Sequence, residues 1–196
     1  MKNMKKILKF AASALAFIFL FVFVWWYYDK LAETETEQLN NRLAEAPAPT
    51  KEREKAPDFS LTDSDGNETT LHEILAAGKP TVINFWASWC PPCRIEMPDF
   101  DSAYAQLGEN VQFIMLNLVD GVRETRAAAT RFVADNGFSF PVYFDLNQSG
   151  AEAYAVRSIP TTVFIDENGY IANTVVGLMD ERRLLAELEV IMRTEQ

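Results

Sequence analysis

Both cysteines of the chain lie in one stretch, Trp86-Ala87-Ser88-Trp89-Cys90-Pro91-Pro92-Cys93-Arg94. Just before the cysteines, residues 81–86 are apolar and partly β-branched, which predicts a buried strand. Just after them, Arg94-Ile95-Glu96-Met97 predicts the first turns of a helix. The cysteine pair is therefore expected at a junction where a buried strand passes into a helix.

A Cys-x-x-Cys pair at such a junction has a chemical use. Cys90 takes the N-cap position, where unpaired backbone N–H groups and the helix dipole stabilise a thiolate. That thiolate can attack a disulfide, and Cys93 is near enough to resolve the mixed disulfide that forms. The spacing therefore favours redox activity.

Two other uses of the pair are less consistent with the sequence. A structural disulfide that closes so short a loop removes little entropy from the unfolded chain. A tetrahedral zinc site needs four ligands, and the chain has no third cysteine and a single histidine, His72, in a different predicted element. His72 is expected to be an exposed residue at the start of a short helix, so we predict no metal site and no cofactor.

The N-terminal 28 residues have the composition of a membrane anchor. Residues 1–9 contain four lysines and no acid, and residues 10–28 contain no charged residue. As a helix, residues 10–28 span roughly 28 Å, about the hydrocarbon thickness of a bilayer. A cleaved signal peptide would need a shorter apolar core and a small-residue cleavage site, whereas this run ends in Trp25-Trp26-Tyr27-Tyr28. We expect an uncleaved single-pass signal-anchor.

The distribution of charge predicts orientation and excludes one class of partner. The positive-inside rule keeps residues 1–9 in the cytoplasm and sends the rest of the chain outside it. Of 18 basic and 28 acidic residues, only four basic ones precede the anchor, so the remainder carries 14 basic against 28 acidic residues. Nucleic acid is therefore not an expected partner.

Behind the anchor, the sequence divides into a linker and one domain. Residues 29–56 are rich in charge and contain Ala46-Pro47-Ala48-Pro49, which predicts an extended linker. Residues 57–196 alternate predicted strands with predicted helices and end in a hairpin and an amphipathic helix. This order predicts an α/β domain with a mixed sheet. Strands are predicted at 81–86, 111–119, 140–144, 161–166 and 170–176, and helices at 91–107, 123–136, 149–155 and 180–193.

These motifs together resemble the thioredoxin superfamily, and within it the membrane-anchored TlpA/ResA-like thiol–disulfide oxidoreductases. The resemblance covers residues 57–196. It rests on the segment from Asn84 to Arg94, on Glu96 and Pro98, on Ile159-Pro160-Thr161-Thr162, and on the Asp166-Glu167-Asn168-Gly169 turn. It implies a thioredoxin-like fold, with a central mixed sheet flanked by helices, behind an N-terminal transmembrane helix. Peroxiredoxins share the general fold, but Ala87 occupies the place of their active-site threonine.

The resemblance also implies roles for site residues. Cys90 is implied to be the exposed nucleophile and Cys93 the buried resolving thiol. Pro160 is implied to be a cis-proline that faces the cysteines, with Ile159 offering backbone groups to a substrate. Together with these two, a substrate-binding surface is expected to include Trp89, Pro91 and Pro92, although Trp89 is equally compatible with a core position.

Glu96 lies three residues after Cys93, so both belong to one helix face. The residues alone favour a surface glutamate in the first turn, which interacts well with the helix dipole. The resemblance places a functional glutamate here, as a base that takes the proton of Cys93. Asn84 stands where ordinary thioredoxins have a buried aspartate, so Glu96 is the candidate replacement for that proton acceptor.

The residues between the cysteines bear on the direction of the reaction. Pro91 and Pro92 have no N–H, so the Cys90 sulfur loses two possible donors and is left chiefly with the N–H of Cys93. A less stabilised thiolate favours a reductase over an oxidase.

The expected function is reduction of protein disulfides outside the cytoplasm. The resemblance implies apocytochrome c as a client, in cytochrome c-type biogenesis, and a membrane electron donor of the CcdA/DsbD type. One alternative is electron supply to an extracytoplasmic methionine sulfoxide reductase or peroxidase. Another is a copper-site assembly protein that binds metal through Cys90 and Cys93.

Overall fold

The computed structural model describes residues 20–30 and 53–193, which belong to two separate units. In the first unit, residues 20–30 form helix α1, and their side chains are exposed. Among the described residues, no helix has the length and apolar character needed to cross a bilayer. Most of the predicted anchor and linker, residues 1–19 and 31–52, lies outside the described residues.

The second unit contains seven strands and five helices within residues 53–193. The strands are β1 (Ser60–Thr62), β2 (Glu68–Thr70), β3 (Thr81–Trp86), β4 (Gln112–Leu118), β5 (Val142–Asp145), β6 (Thr161–Ile165) and β7 (Ile171–Val176). The helices are α2 (Leu71–Leu75), α3 (Pro91–Leu107), α4 (Arg126–Asn136), α5 (Ser149–Ala153) and α6 (Glu181–Met192). Strands and helices therefore alternate as predicted.

The strands form one mixed sheet in the order β2-β1-β5-β4-β3-β6-β7. The central strands β3, β4 and β5 are parallel, whereas β6 and β7 on one side and β1 and β2 on the other are antiparallel to their neighbours. In the parallel pair β3–β4, Trp86 is aligned with Asn117. The segments that follow these two residues consequently leave the sheet at the same edge.

The sheet separates two apolar clusters. Alternate residues of a strand point to opposite faces, and β3 follows this rule. Val82 and Trp86 pack with residues of α3, α4 and α6, whereas Ile83 and Phe85 pack with Leu71 of α2. All six residues of β3 are buried, which explains why its sequence is nearly continuous in apolar residues.

Helix α4 begins later than predicted, at Arg126 instead of residue 123. Thr125 is its N-cap, and its hydroxyl accepts a hydrogen bond from the N–H of Ala128 at 3.1 Å. Residues 120–124 instead form a loop around the side chain of Asp120, which accepts three backbone hydrogen bonds. A side chain that offers the backbone such partners competes with helix formation.

Candidate active site

Cys90 and Cys93 form a disulfide at the N-terminus of α3. Cys90 is the N-cap residue, as predicted, and Pro91 and Pro92 occupy the first two helical positions. The Sγ atom of Cys90 accepts a hydrogen bond from the N–H of Cys93 at 3.3 Å. Because neither proline has an N–H, this is the backbone donor that the helix N-terminus gives to the sulfur.

A cleft of about 460 Å³ opens beside Cys90. Four of the five predicted substrate-binding residues line it, namely Trp89, Pro91, Pro92 and Ile159. Other lining residues are Ala87, Leu118, Asp120, Gln148, Val156, Arg157 and Ser158. The surface of the cleft is mostly apolar, and the carbonyl oxygen of Ile159 lies 3.7 Å from the Sγ atom of Cys90.

Pro160 is the exception among the predicted substrate-binding residues. The Ile159–Pro160 peptide bond is cis, as the resemblance implied. Pro160 is buried and does not line the cleft, so a substrate can reach the residues just before it, among them Ile159, but not Pro160 itself.

The expectation that Cys90 is exposed is wrong for the disulfide form. Cys90 is 2% exposed and Cys93 is fully buried. The sulfur of Cys90 is enclosed by its disulfide partner, by Cys93 N–H and by the Ile159 loop, and access to Cys90 is through the cleft. The two cysteines still differ, because Cys90 lines the cleft and Cys93 does not.

Glu96 is a buried residue of α3, so it is not the surface glutamate that the residues alone favoured. Its carboxylate accepts hydrogen bonds from the side-chain amide of Asn84 at 2.8 Å and from the backbone N–H of Met179 at 3.1 Å. Burial raises the pKa of Glu96 to about 7, and these two hydrogen bonds oppose that shift only in part. A carboxyl group with this pKa can both accept and release a proton near neutral pH.

The other predicted residues have simpler surroundings. Asn84 is fully buried and also donates to the hydroxyl of Thr162 at 3.0 Å. The His72 side chain is about half exposed, and its Nε2 atom lies 2.9 Å from the carbonyl oxygen of Ala56. Within residues 20–30 and 53–193, no three His, Cys, Asp or Glu side chains are grouped so that they could hold a metal ion.

Sequence reasoning missed a second buried carboxylate near the cysteines. Glu124 is fully buried and accepts hydrogen bonds from Ser88, two residues before Cys90, and from Asn117 at the end of β4. The guanidinium group of Arg123 lies over the ring of Trp89, 3.7 Å from its centroid. The sequence around residues 123 and 124 does not predict these contacts, because they depend on the pairing of β3 with β4.

A Cys-x-x-Cys disulfide that caps a helix, next to a cis-proline loop and on a thioredoxin-like sheet, defines a thiol–disulfide oxidoreductase. Comparison with known proteins agrees and gives the family: the family model for Redoxin matches residues 51–189, and the chain belongs to this family. It is a ResA-like member of the thioredoxin superfamily.

Individual relatives show how far the similarity extends. The thiol-disulfide oxidoreductase ResA of Halalkalibacterium halodurans is 35% identical over 139 residues, which are 70% of this chain and 76% of that protein. The structure of StoA from Bacillus subtilis has 28% identity and a TM-score of 0.58, covering 67% of this chain and 96% of StoA. The pneumococcal exposed lipoprotein thioredoxin Etrx1 from Streptococcus pneumoniae has 29% identity and a TM-score of 0.60, covering 68% of this chain and 99% of Etrx1.

Proposed function

We propose that this oxidoreductase works as a reductase of protein disulfides. The observation that carries the proposal is the hydrogen bonding of the Cys90 sulfur at the start of α3. An N-cap side chain usually accepts from the N–H groups of the second and third helical residues. Here the second residue is Pro92, so only the third, Cys93, donates. Fewer donors stabilise the thiolate less, and a less stabilised reduced form is a stronger reductant.

The proposed reaction transfers two electrons from the enzyme dithiol to the client. The thiolate of Cys90 attacks one sulfur of a client disulfide, and the other client sulfur leaves as a thiolate. Glu96 takes the proton of the Cys93 thiol, and the Cys93 thiolate then attacks the Sγ atom of Cys90. The mixed disulfide breaks, the second client sulfur leaves, and the enzyme is left with the Cys90–Cys93 disulfide. Protons returned to the two client sulfurs complete a reduced dithiol.

The reduction potential of the Cys90–Cys93 couple tests the direction. We expect a value at or below that of thioredoxin, roughly −270 mV, when the full-length chain in detergent is equilibrated with dithiothreitol or glutathione buffers. Pro92→Ala restores an N–H that faces the sulfur and should raise the potential by about 30 mV, the equivalent of one hydrogen bond to a charged group.

Pro91→Ala is the matched control for this measurement. It also replaces a proline between the cysteines. The sequence counts Pro91 as a second lost donor to the Cys90 sulfur, but in the structure Pro91 is the first helical residue, and the N–H of that residue does not take part in N-capping. Its potential should stay close to that of the unchanged chain. A potential near −120 mV for the unchanged chain would identify a disulfide donor instead and would end the reductase proposal.

We further propose that the domain works outside the cytoplasm, tethered by residues 10–28. The support is the uncharged run of residues 10–28 behind four lysines, together with the acidic composition of the rest of the chain. The similar protein Etrx1 is named an exposed lipoprotein. Disulfides persist outside the cytoplasm, so a reductase has clients there.

Fractionation and topology measurements test the tether. We expect the full-length chain to stay with the membrane after extraction with alkaline carbonate, and we expect externally added protease to digest residues 53–196 in spheroplasts. A chain with Leu20→Glu and Val24→Glu, two exposed positions of α1, should be released by carbonate. Recovery of the unchanged chain in the soluble fraction would contradict an uncleaved anchor.

The client and the electron source are proposed from the resemblance to ResA-like proteins. Apocytochrome c is the first client, because its haem-binding cysteines have to be reduced before haem attachment. A membrane protein of the CcdA/DsbD type is the proposed donor that returns electrons to the Cys90–Cys93 disulfide. Both proposals depend on the low potential expected above, since a strongly oxidising couple would not pass electrons to a client disulfide.

A further inference from the structure

The loop between β4 and α4 contacts Ser88 and Trp89, the two residues that precede Cys90. This loop, residues 120–124, leaves the sheet at the same edge as the active-site turn, because β3 and β4 are parallel and Trp86 is aligned with Asn117. Its last two residues contact two consecutive residues of the turn: Glu124 contacts Ser88, and Arg123 contacts Trp89.

The contact through Glu124 is a set of three hydrogen bonds to a fully buried carboxylate. Its Oε1 atom accepts from the backbone N–H of Ser88 at 2.9 Å and from the side-chain amide of Asn117 at 2.7 Å. Its Oε2 atom accepts from the hydroxyl of Ser88 at 2.7 Å. All three donors are neutral. A buried carboxylate is costly unless such donors satisfy it, and with them it fixes the groups around it.

The contact through Arg123 lies at the surface. Its guanidinium group covers the ring of Trp89, whose side chain is 39% exposed and forms a wall of the cleft. A guanidinium this close to an indole face is held by a cation–π interaction. The ring of Trp89 is therefore covered by Arg123 of the loop, and the same side chain lines the cleft.

The loop has a defined shape of its own. The Oδ1 atom of Asp120 accepts hydrogen bonds from the backbone N–H groups of Val122, Arg123 and Glu124, at 2.7–2.8 Å. The carbonyl oxygen of Glu124 accepts from the N–H groups of Asp120 and Gly121 at 3.2 and 3.0 Å. These bonds fix the direction in which the side chains of Arg123 and Glu124 leave the loop.

We propose that Glu124 and Arg123 are positioning residues for thiol–disulfide exchange. Glu124 fixes the backbone at Ser88, and Arg123 fixes the indole of Trp89, so that a client disulfide entering the cleft meets Cys90 in a productive orientation. The proposal rests on the exchange chemistry of this class of protein and not on the direction of electron flow. The redox-potential measurement and the following test therefore fail independently.

The test compares a protein disulfide with a small one. We measure the rate at which the reduced full-length chain reduces the disulfides of insulin. We also measure the rate at which it reduces 5,5′-dithiobis(2-nitrobenzoate), a small disulfide that can react with Cys90 while making few contacts with the residues that line the cleft. Glu124→Ala should slow insulin reduction about tenfold, since misplaced reacting groups lose rate steeply. Arg123→Met should slow it about threefold, the loss expected for one exposed cation–π contact. Both variants should react with the small disulfide nearly as fast as the unchanged chain.

Two further variants separate positioning from charge and from general stability. Glu124→Gln keeps an oxygen that can accept from the N–H of Ser88 and from the amide of Asn117, and its own amide can donate to the Ser88 hydroxyl. Its rate of insulin reduction should therefore be within about twofold of the rate of the unchanged chain. Arg131→Met removes an exposed arginine from α4 and should change neither rate.

Three results would overturn the proposal. The first is an unchanged rate of insulin reduction in both Glu124→Ala and Arg123→Met. The second is an equal loss with insulin and with the small disulfide, accompanied by a lower melting temperature, which would show a structural role only. The third is a Glu124→Gln variant as slow as Glu124→Ala, which would assign the effect to charge.

Discussion

Replacing Cys93 by serine is expected to stop turnover and to leave Cys90 joined to its client by a mixed disulfide. The first attack needs only the Cys90 thiolate, and Cys90 lines the cleft. The second attack needs the Cys93 sulfur, which is fully buried and hidden from the client. A serine hydroxyl cannot perform it, because an alkoxide is not accessible near neutral pH. Turnover should fall by at least about 1,000-fold.

The trapped complex is the measurement that distinguishes the two cysteines. With insulin as the client, non-reducing electrophoresis and mass spectrometry should show a covalent adduct of Cys93→Ser through Cys90. Cys90→Ser is the matched control. It removes one sulfur from the same disulfide and should give neither turnover nor adduct, because Cys93 does not line the cleft.

The opposite pattern would reverse the assignment. An adduct that forms with Cys90→Ser but not with Cys93→Ser would make Cys93 the nucleophile. Turnover that survives in Cys93→Ser would mean that a second client thiol, and not Cys93, resolves the mixed disulfide. Either result would contradict the mechanism proposed above.

The parts of the fold that the sequence predicts are those with local causes. The strand over residues 81–86 is predicted because its side chains are apolar throughout, and it occupies those residues in the structure. The N-cap position of Cys90 follows from the same strand, because the prolines after it cannot continue a strand but fit the first turn of a helix. The cis bond before Pro160 has no local cause, and the resemblance alone implied it.

The parts of the site that the sequence does not predict depend on distant pairing. Glu124 reaches Ser88 across 36 positions of the chain, and only the parallel pairing of β3 with β4 brings them together. The burial of Glu96 has a similar origin, since Met179, one of its two partners, is 83 residues away. The sequence also does not predict the burial of Cys90, because the loop that contains Ile159 contributes to that burial and is distant in the sequence.

Glu96→Gln is expected to remove the pH dependence of the step in which Cys93 attacks Cys90. In the unchanged chain this rate should rise with pH through about 7, as the Glu96 carboxyl loses its proton and becomes able to take one from Cys93. The glutamine has no such titration. A positioned general base contributes about 100-fold or more, so resolution of the mixed disulfide should be about 100-fold slower at pH 8.

Glutamine has nearly the size and shape of glutamate, and its oxygen can accept from the N–H of Met179. Its amide can donate to the Oδ1 atom of Asn84 if the Asn84 side-chain amide turns over. The Asn84 NH2 group then takes the buried place of Oδ1, which has no hydrogen-bond partner among the described residues, so the variant leaves this one donor unpaired at every pH. The variant therefore tests the proton and the charge of Glu96 with little change in packing. Glu109→Gln, at an exposed carboxyl group after α3, is the control that should leave the pH profile as it is.

The same titration links stability to pH, with a sign that follows from burial. The ordinary pKa of a glutamate is 4.5 and that of Glu96 in the folded chain is about 7, so between these values the folded state keeps a proton that the unfolded state releases. Its stabilising effect is complete below pH 4.5 and is lost as pH rises through about 7. A difference of this size corresponds to about 3 kcal/mol in the free energy of unfolding.

Urea unfolding of the disulfide form at pH 5 and pH 8 measures this contribution. The unchanged chain should lose more stability between the two values than Glu96→Gln does, by up to about 3 kcal/mol. Asp145, whose pKa burial also raises, is present in both proteins and cancels in the comparison. If the two proteins lose stability equally and their rates of resolution keep the same pH profile, then Glu96 is ionised throughout this range and another group takes the proton of Cys93.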